Sequence, residues 1–475
     1  MGFLLQKPTG TEGRTWPAIL ISGFVAFGGI LFGYDTGTIS GILAMPYWAQ
    51  TFSTGYRDST GQLNVTASQS AAIVSILSAG TFFGSLGAAP TGDLIGSRWG
   101  LIASNGVFVV GVVLQTIATS IPPFLAGRFF AGFGVGLISA LVPLYQSETA
   151  PKWIRGFIVG SYQWAITIGL LLASVVSNAT HMRDDPGSYC IPIAVQFAWS
   201  IILVAGVLIL PETPRYLIKA HKREAATKSL AKLRRLPEDH AAVQSELGEI
   251  QANHEHEISL GGSSYIDYFR GNIGKRLMTG CLLQGLQQLT GINFIIYYEP
   301  SLYAIDKWVD VLFYSRGRSD SMGNILARDA GAQKAAIAFI CLFIFFAASW
   351  GPVAWVVTGE IFPLKTRAKS LSMTTATNWI VNWALGYATP YLVNYGPGNA
   401  NLQSKIFFVW SGCCFLCIVF VYFMIYETKG LTLEVDELYS EVTDARKSVK
   451  DSEDYVTEKH EENSGAREVA FNSNI

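Results

Sequence analysis

Residues 148–155 read Glu148-Thr149-Ala150-Pro151-Lys152-Trp153-Ile154-Arg155, and residues 360–367 read Glu360-Ile361-Phe362-Pro363-Leu364-Lys365-Thr366-Arg367. An acid, a proline three places on and an arginine seven places on recur at identical intervals, and a long apolar run precedes the glutamate in both copies. A second pair of marks follows in the same order. Pro211-Glu212-Thr213-Pro214-Arg215 and Tyr426-Glu427-Thr428-Lys429-Gly430 each close an apolar run. Apolar runs often end in Glu and Arg, so one match is within reach of chance. Two in one order imply a chain made of duplicated halves, the plan of many secondary transporters, which place a central site between repeats.

The composition sets those halves in lipid. Half of the 475 residues are hydrophobic, 13% are aromatic and 15% are charged, where a soluble chain carries about 25% charge. A membrane-crossing helix needs about 20 mostly apolar residues. Six such stretches lie in the first half: Pro17 to Gly41, Ala67 to Pro90, Trp99 to Ser120, Pro123 to Tyr145, Gly156 to Asn178 and Ile191 to Pro211. Four follow later: Leu277 to Tyr298, Lys334 to Thr358, Ser370 to Val393 and Ile406 to Tyr426. The first is too long, and too polar at its far end, for a cleaved leader. Arg98, Lys152, Arg155, Arg215, the basic run at 222–235, Lys365, Arg367 and Lys369 fall on one side. The excess of Lys and Arg makes that side cytoplasmic and puts both termini inside.

The expectation is an all-α membrane protein of about ten spans in two pseudo-symmetric halves. Residues 1–16 form a cytoplasmic tail, 17–211 a six-helix half, and 212–275 a cytoplasmic loop with short amphipathic helices, Lys222 to Leu236 among them. Residues 276–426 form the second half, and 427–475 a charged tail rich in Ser and Thr. Of two sequons on the outer side, Asn64-Val65-Thr66 and Asn178-Ala179-Thr180, the second abuts a helix end, which leaves Asn64 as the glycan candidate.

Several classes are excluded. A net charge of -1 gives no footprint for a nucleic acid. The six cysteines fall mostly in apolar runs and read as packing residues, with neither a disulfide nor a metal framework. His254-Glu255-His256 reads as part of a solvated loop. Gly132, Gly134 and Gly136 lie within a span, where glycine allows close helix approach, and do not cradle a phosphate. No cofactor and no enzymatic chemistry are implied.

An ionisable residue inside a span is costly and functional by default. Asp35 stands six residues before the outer end of the first span and Arg128 five after the outer start of the fourth, so both lie roughly 8 to 9 Å below the outer face. They can meet. A carboxylate holds its proton less tightly beside a guanidinium and more tightly in apolar surroundings, so parting the two would switch proton release and capture; a fixed structural ion pair is the alternative. Gln163, Gln287, Gln288, Asn293 and Asn378 bracket the midplane, very roughly 10 to 26 Å from the cytoplasmic ends. Their amides both donate and accept, which suits the hydroxyls of a sugar, and Trp355 and Trp379 offer flat faces for its C–H surface. Each amide alone could equally be interhelical glue, and each tryptophan packing or an interface anchor.

Gly29-Ile30-Leu31-Phe32-Gly33-Tyr34-Asp35-Thr36-Gly37, Gly127-Arg128, residues 143–156, the Pro-Glu-Thr-Pro-Arg run, Gln287-Gln288-Leu289-Thr290-Gly291-Ile292-Asn293 and the final Glu-Thr-Lys-Gly closely resemble the sugar porter family of the major facilitator superfamily, fungal hexose transporters in particular. The resemblance covers most of residues 23–438. It implies a carrier for a monosaccharide, a hexose with glucose foremost, working by alternating access in the plasma membrane. Proton coupling would run through Asp35 and Arg128, and the amides and two tryptophans would be the sugar contacts. It also implies a cytoplasmic gate of ion pairs among Asp93, Arg98, Glu148, Arg155, Glu360 and Arg367, each exposed pair worth roughly 0 to 1 kcal/mol; a purely topological role for these charges stays open.

Two departures from the family pattern stand out. The family has twelve helices, and the eighth and ninth should lie in residues 299–333, where Arg316, Arg318, Asp320, Arg328 and Asp329 leave no window able to cross a bilayer. An altered splice or gene-model error is the preferred account over a genuine ten-helix variant. The loop after the second span reads Asp93-Leu94-Ile95-Gly96-Ser97-Arg98, with Ser97 where the family carries the first of two basic residues. A sugar sensor of the same build and a transport-incompetent truncated product are the rival readings.

Overall fold

A computed structural model describes residues 16–57, 63–151, 154–259, 269, 271–298, 330–362, 366–393, 399–400, 402 and 405–426. The expected tails, apart from Trp16, and residues 299–329 of the aberrant block lie outside these. Each of the ten apolar stretches is helical. The first is α1 (Trp16–Val25) and α2 (Phe27–Leu43), separated by a turn at Ala26 and followed by the short α3 (Pro46–Phe52). Then come α4 (Ala67–Ile95), α5 (Ser97–Thr116), α6 (Ile121–Thr149), α7 (Arg155–Thr180) and α8 (Gly187–Ile209). Three more polar helices follow: α9 (Pro214–Lys219), α10 (Arg223–Arg234) and α11 (Ala241–Ser259). The second half contains α12 (Gly271–Gln288), α13 (Ile292–Tyr298), α14 (Ala330–Glu360), α15 (Arg367–Val393) and α16 (Ile406–Met424).

Among the described residues eight segments are long and apolar enough to cross a membrane, including Trp16–Leu43, Cys341–Glu360 and Ile406–Met424. The two expected spans outside that set are α12–α13 and α15. They are the helices that carry most of the amides, and these residues lower their hydropathy. His254 and His256 sit on α11, a correction to the loop reading: the apolar residues that pack, Val243 and Leu247, lie in its first turns and leave its far end without an apolar stripe, yet Gln251 and Glu255 pair along it at 2.9 Å.

Small residues set the packing. A Cβ at Gly80 or Gly84 of α4 would strike the backbone of Phe129 or Phe133 on α6, and one at Gly132 or Gly136 would strike that of Leu77 or Thr81. These backbones therefore touch, which in lipid replaces the hydrophobic drive that helices have in water. The halves join through α4 against α15 and α7 against α14. Ser78 donates to Asn382 Oδ1 at 2.7 Å, Trp379 Nε1 donates to Ser139 Oγ at 3.3 Å, and Tyr162 meets Trp355 edge to face with centroids 5.9 Å apart.

Below the bundle, α9–α11 share a small core of Leu217, Ala226, Leu230, Val243 and Leu247. Arg234 ties it upward by donating to the carbonyl of Thr149, at the end of α6, and to Glu246. On the outer side Thr66 caps α4 reciprocally with Gln69. Asn64, half-buried, accepts from the Val65 N–H at 2.8 Å in the turn just before it, and Asn178 falls inside the last turns of α7.

Candidate functional site

Gln287 to Asn293 builds the centre. The helix breaks at Gly291, where φ is +87° and a Cβ would lie 2.7 Å from the Trp410 ring. Only glycine suits such a position. The break turns Asn293 back so that its amide donates to Gln288 Oε1. Broken helices lining a polar site are a recurrent transporter device.

Around that break lies a cavity of about 750 Å3, and all seven of the amides and tryptophans expected to face substrate line it: Gln163, Gln287, Gln288, Asn293, Trp355, Asn378 and Trp379. The two halves both contribute, Phe32, Thr36, Gln163, Ile166 and Leu170 from the first and the rest from the second. Asn378 Nδ2 donates to Gln284 Oε1 and Gln287 Oε1, each at 2.8 Å; Gln287 Nε2 donates to the carbonyl of Gly351 at 3.1 Å; Asn382 Nδ2 donates to Gln288 Oε1 at 3.0 Å. The network holds the amides in fixed orientations, and no formal charge is among these groups. It can exchange partners with hydroxyls without the cost of burying an ion.

Sequence reasoning missed Gln284, Asn382 and Tyr297. Asn382 is four residues after Asn378 and Gln284 three before Gln287, spacings that share a helix face. Tyr297 donates to Asn382 Oδ1 at 3.1 Å and lies in the field of Arg128.

Asp35 and Arg128 do meet, with Nη1 3.4 Å from Oδ1 and side chains 0% and 2% exposed. Asp35 Oδ2 and Arg128 Nε and Nη2 are buried without hydrogen-bond partners. The pair sits one residue from the cavity-lining Thr36 and, through Tyr297, next to the amide network.

Of the six charges expected to form a gate, Arg155 with Glu360 and Glu148 with Arg367 lie beside each other, while Asp93 and Arg98 find partners outside the set. Asp93 pairs with Lys219 of α9 at 2.7 Å, both half-exposed. Arg98 turns its guanidinium to the carbonyls of Val207 and Leu208 at the end of α8, while its N–H donates to Glu212 at 3.1 Å. Glu148 accepts from Thr213 and lies beside Arg215 and Arg367; Arg155 faces Glu360; Arg367 donates to the carbonyl of Phe362 at 3.3 Å. Glu212 is therefore the acid that joins the repeat mark to the loop after α4. Its burial pushes the carboxyl above the usual carboxylate range, countered by the Thr213 and Arg98 N–H donors.

Comparison with known proteins fits this geometry. The family model "Sugar (and other) transporter" matches residues 22–306 and 318–439. A major facilitator-type transporter of Aspergillus rugulosus, ecdD, is 72% identical, with 95% of this chain and 92% of that protein covered. A probable glucose transporter of Neurospora crassa, rco-3, is 45% identical over 93% of this chain and 82% of its own length. A high glucose sensor of Saccharomyces cerevisiae, RGT2, is 39% identical over 92% of this chain, which spans 62% of it. Among solved structures, the proton:xylose symporter XylE bound to 6-bromo-6-deoxy-D-glucose has the same fold, with a TM-score of 0.72 at 24% identity over 90% of this chain and 100% of that one.

Proposed function

The chain belongs to the sugar transporter family, and we propose that it carries a hexose, glucose foremost, across the plasma membrane by alternating access with a proton moving alongside. The observation that carries this is the convergence of Gln163, Gln287, Gln288, Asn293, Asn378, Trp355 and Trp379 on one uncharged cavity between the two halves. The amides take the ring hydroxyls and the tryptophans its C–H face. The glucose transporter named among the relatives supports the choice of hexose.

Asp35 and Arg128 form the proton site. A movement that parts the pair leaves the Asp35 carboxyl in apolar surroundings without its counter-charge, which favours uptake of a proton. Tyr297 stands between that pair and Asn382, so a shift of α13 on sugar binding reaches both. The contacts of Asp93, Arg98, Glu148, Arg155, Glu360 and Arg367 close the cytoplasmic side, and the half-exposed Asp93–Lys219 pair is of the weak surface kind that opens readily. Asn64 carries the outer glycan, and both termini face the cytoplasm.

Labelled glucose uptake in cells lacking their own hexose carriers tests this. Uptake is saturable, falls as external pH rises and is lost in Asp35→Asn. Uptake indifferent to pH would make the chain a uniporter. Binding without uptake would favour the second reading, a glucose sensor, which the sensor among the relatives supports.

A further inference from the structure

The break at Gly291 is held by a residue outside the amide network. Trp410 of α16 is 5% exposed, and its indole lies so close to the glycine that a Cβ there would be 2.7 Å from Cγ and 2.8 Å from Cδ1. Cys414 and Cys417 follow four and seven residues later, the spacing of one helix face. Their thiols, weak donors, reach the carbonyls of Thr290 at 3.9 Å and Leu286 at 3.6 Å. One face of α16 thus runs along the end of α12 and finishes, at Trp410, on the residue where the helix breaks.

The same indole adjoins the residues on both sides of the break. Trp410 shares a buried core with Phe294 and Ile406, and Phe294 follows Asn293 directly in α13. Trp410, Gly291, Gln288 and Asn293 also line one small cavity of about 10 Å3. Across the break, Asn293 donates to Gln288 Oε1, a bond that depends on the angle between α12 and α13. Glycine permits that angle but does not select it, because it has the widest choice of backbone conformations. A flat ring packed on the glycine narrows the choice, since a gap opened beneath it forfeits its contacts outright.

We propose that Trp410 is a positioning residue for the sugar: seated on Gly291, it fixes the angle between α12 and α13 and so holds Asn293 and Gln288 together in the orientation that meets one hydroxyl of the ring. The proposal rests on the monosaccharide reading of these amides and adds a residue that acts on the sugar through them.

The test measures equilibrium binding, with the full chain in lipid nanodiscs, of glucose and of the deoxyglucoses that each lack one hydroxyl. Asn293→Ala identifies the hydroxyl concerned. It should weaken glucose about tenfold, the equivalent of about 1.4 kcal/mol, and should leave the analogue lacking that hydroxyl within about twofold of the wild type, the coupling a double-mutant cycle reads. Trp410→Ala should give the same pattern on the same analogue. Trp410→Phe, which keeps a flat ring over Gly291, should hold glucose within about threefold of the wild type, the equivalent of about 0.7 kcal/mol. If Trp410→Ala does not yield folded protein, Trp410→Leu, apolar without a flat ring, should show the same selective loss. The analogues are compared within each preparation, so a fraction of unfolded protein does not mimic the pattern. A merely structural role for Trp410 would weaken glucose and every analogue by one factor, and that result overturns the proposal. Loss on a different analogue, or unaltered glucose binding in the Ala or Leu variant, also overturns it; each leaves the monosaccharide reading intact. Failure of the wild type to bind glucose, or of Asn293→Ala to weaken it, overturns the reading of these amides and the proposal together.

Discussion

Neutralising Asp35 tests the buried pair most directly. At 3.4 Å and an effective dielectric of ~20, the attraction between the two charges is about 5 kcal/mol. Asp35→Asn removes it and leaves a guanidinium that is 2% exposed and already has two nitrogens without partners. Breaking a buried pair from one side costs about 3–5 kcal/mol, whereas replacing both partners by apolar residues of similar volume is often close to neutral. The expected pattern is therefore a large loss of stability in Asp35→Asn, a comparable loss in Arg128→Met, and a much smaller one in Asp35→Leu/Arg128→Met. Guanidinium unfolding of the purified protein in detergent, followed by tryptophan emission, reads all of them. In a full cycle built on Asp35→Leu, non-additivity of about 3 kcal/mol or more identifies the pair. Losses that add to within about 0.5 kcal/mol mean that the two charges act independently, and the coupling mechanism built on their separation is then refuted. The same variants separate stability from function. Asp35→Leu/Arg128→Met should exchange labelled for unlabelled sugar across a vesicle membrane but not accumulate sugar against a gradient when a proton gradient is applied.

Three other expectations follow from single contacts. Gln287→Ala removes an amide that accepts from Asn378 and donates to Gly351; equilibrium glucose binding should weaken roughly tenfold, the equivalent of about 1.4 kcal/mol, and unchanged binding would place the sugar elsewhere. Gly291→Ala, at φ +87° and 2.7 Å from Trp410, should cost at least about 1–2 kcal/mol from the backbone alone, seen as a lower unfolding midpoint. Burial raises the Glu212 carboxyl, so its folded-state pKa lies above its unfolded value. Its ionised form costs the fold above that range, and the cost is relieved as pH falls. The unfolding midpoint of the wild type should therefore rise relative to Glu212→Gln between about pH 7 and pH 5; parallel curves would show that the carboxyl is not desolvated.

The sequence revealed the features tied to local composition. A run of about 20 apolar residues has few ways to exist other than as a helix in lipid, so all ten stretches were readable. Asp35 and Arg128 could be placed at one depth by counting from helix ends, and helical rise alone brought them within reach. The amides were readable for the same reason, since a polar group inside a span needs a partner. What stayed hidden depends on contacts between distant segments. Lys219 reaches Asp93 because a one-turn helix folds back under α4, and Glu212 meets Arg98 because α8 ends beside the loop after α4. Neither meeting follows from spacing along the chain. Asn382 and Gln284 were the avoidable omissions, each one helical turn from a residue already singled out.

The repeat that decides the architecture also matches spans of one half to spans of the other. In the first half the windows of α6 and α8 are 72% and 33% buried. In the second half, α14 and α16, which the repeat marks match to α6 and α8, have windows 24% and 22% buried. The aberrant block at residues 299–333 falls in the same half, and the family model breaks at 307–317. The amides sit on α7, α12, α13 and α15, apart from α14 and α16. The polar seat is thus carried by helices other than the two whose burial falls below that of their counterparts.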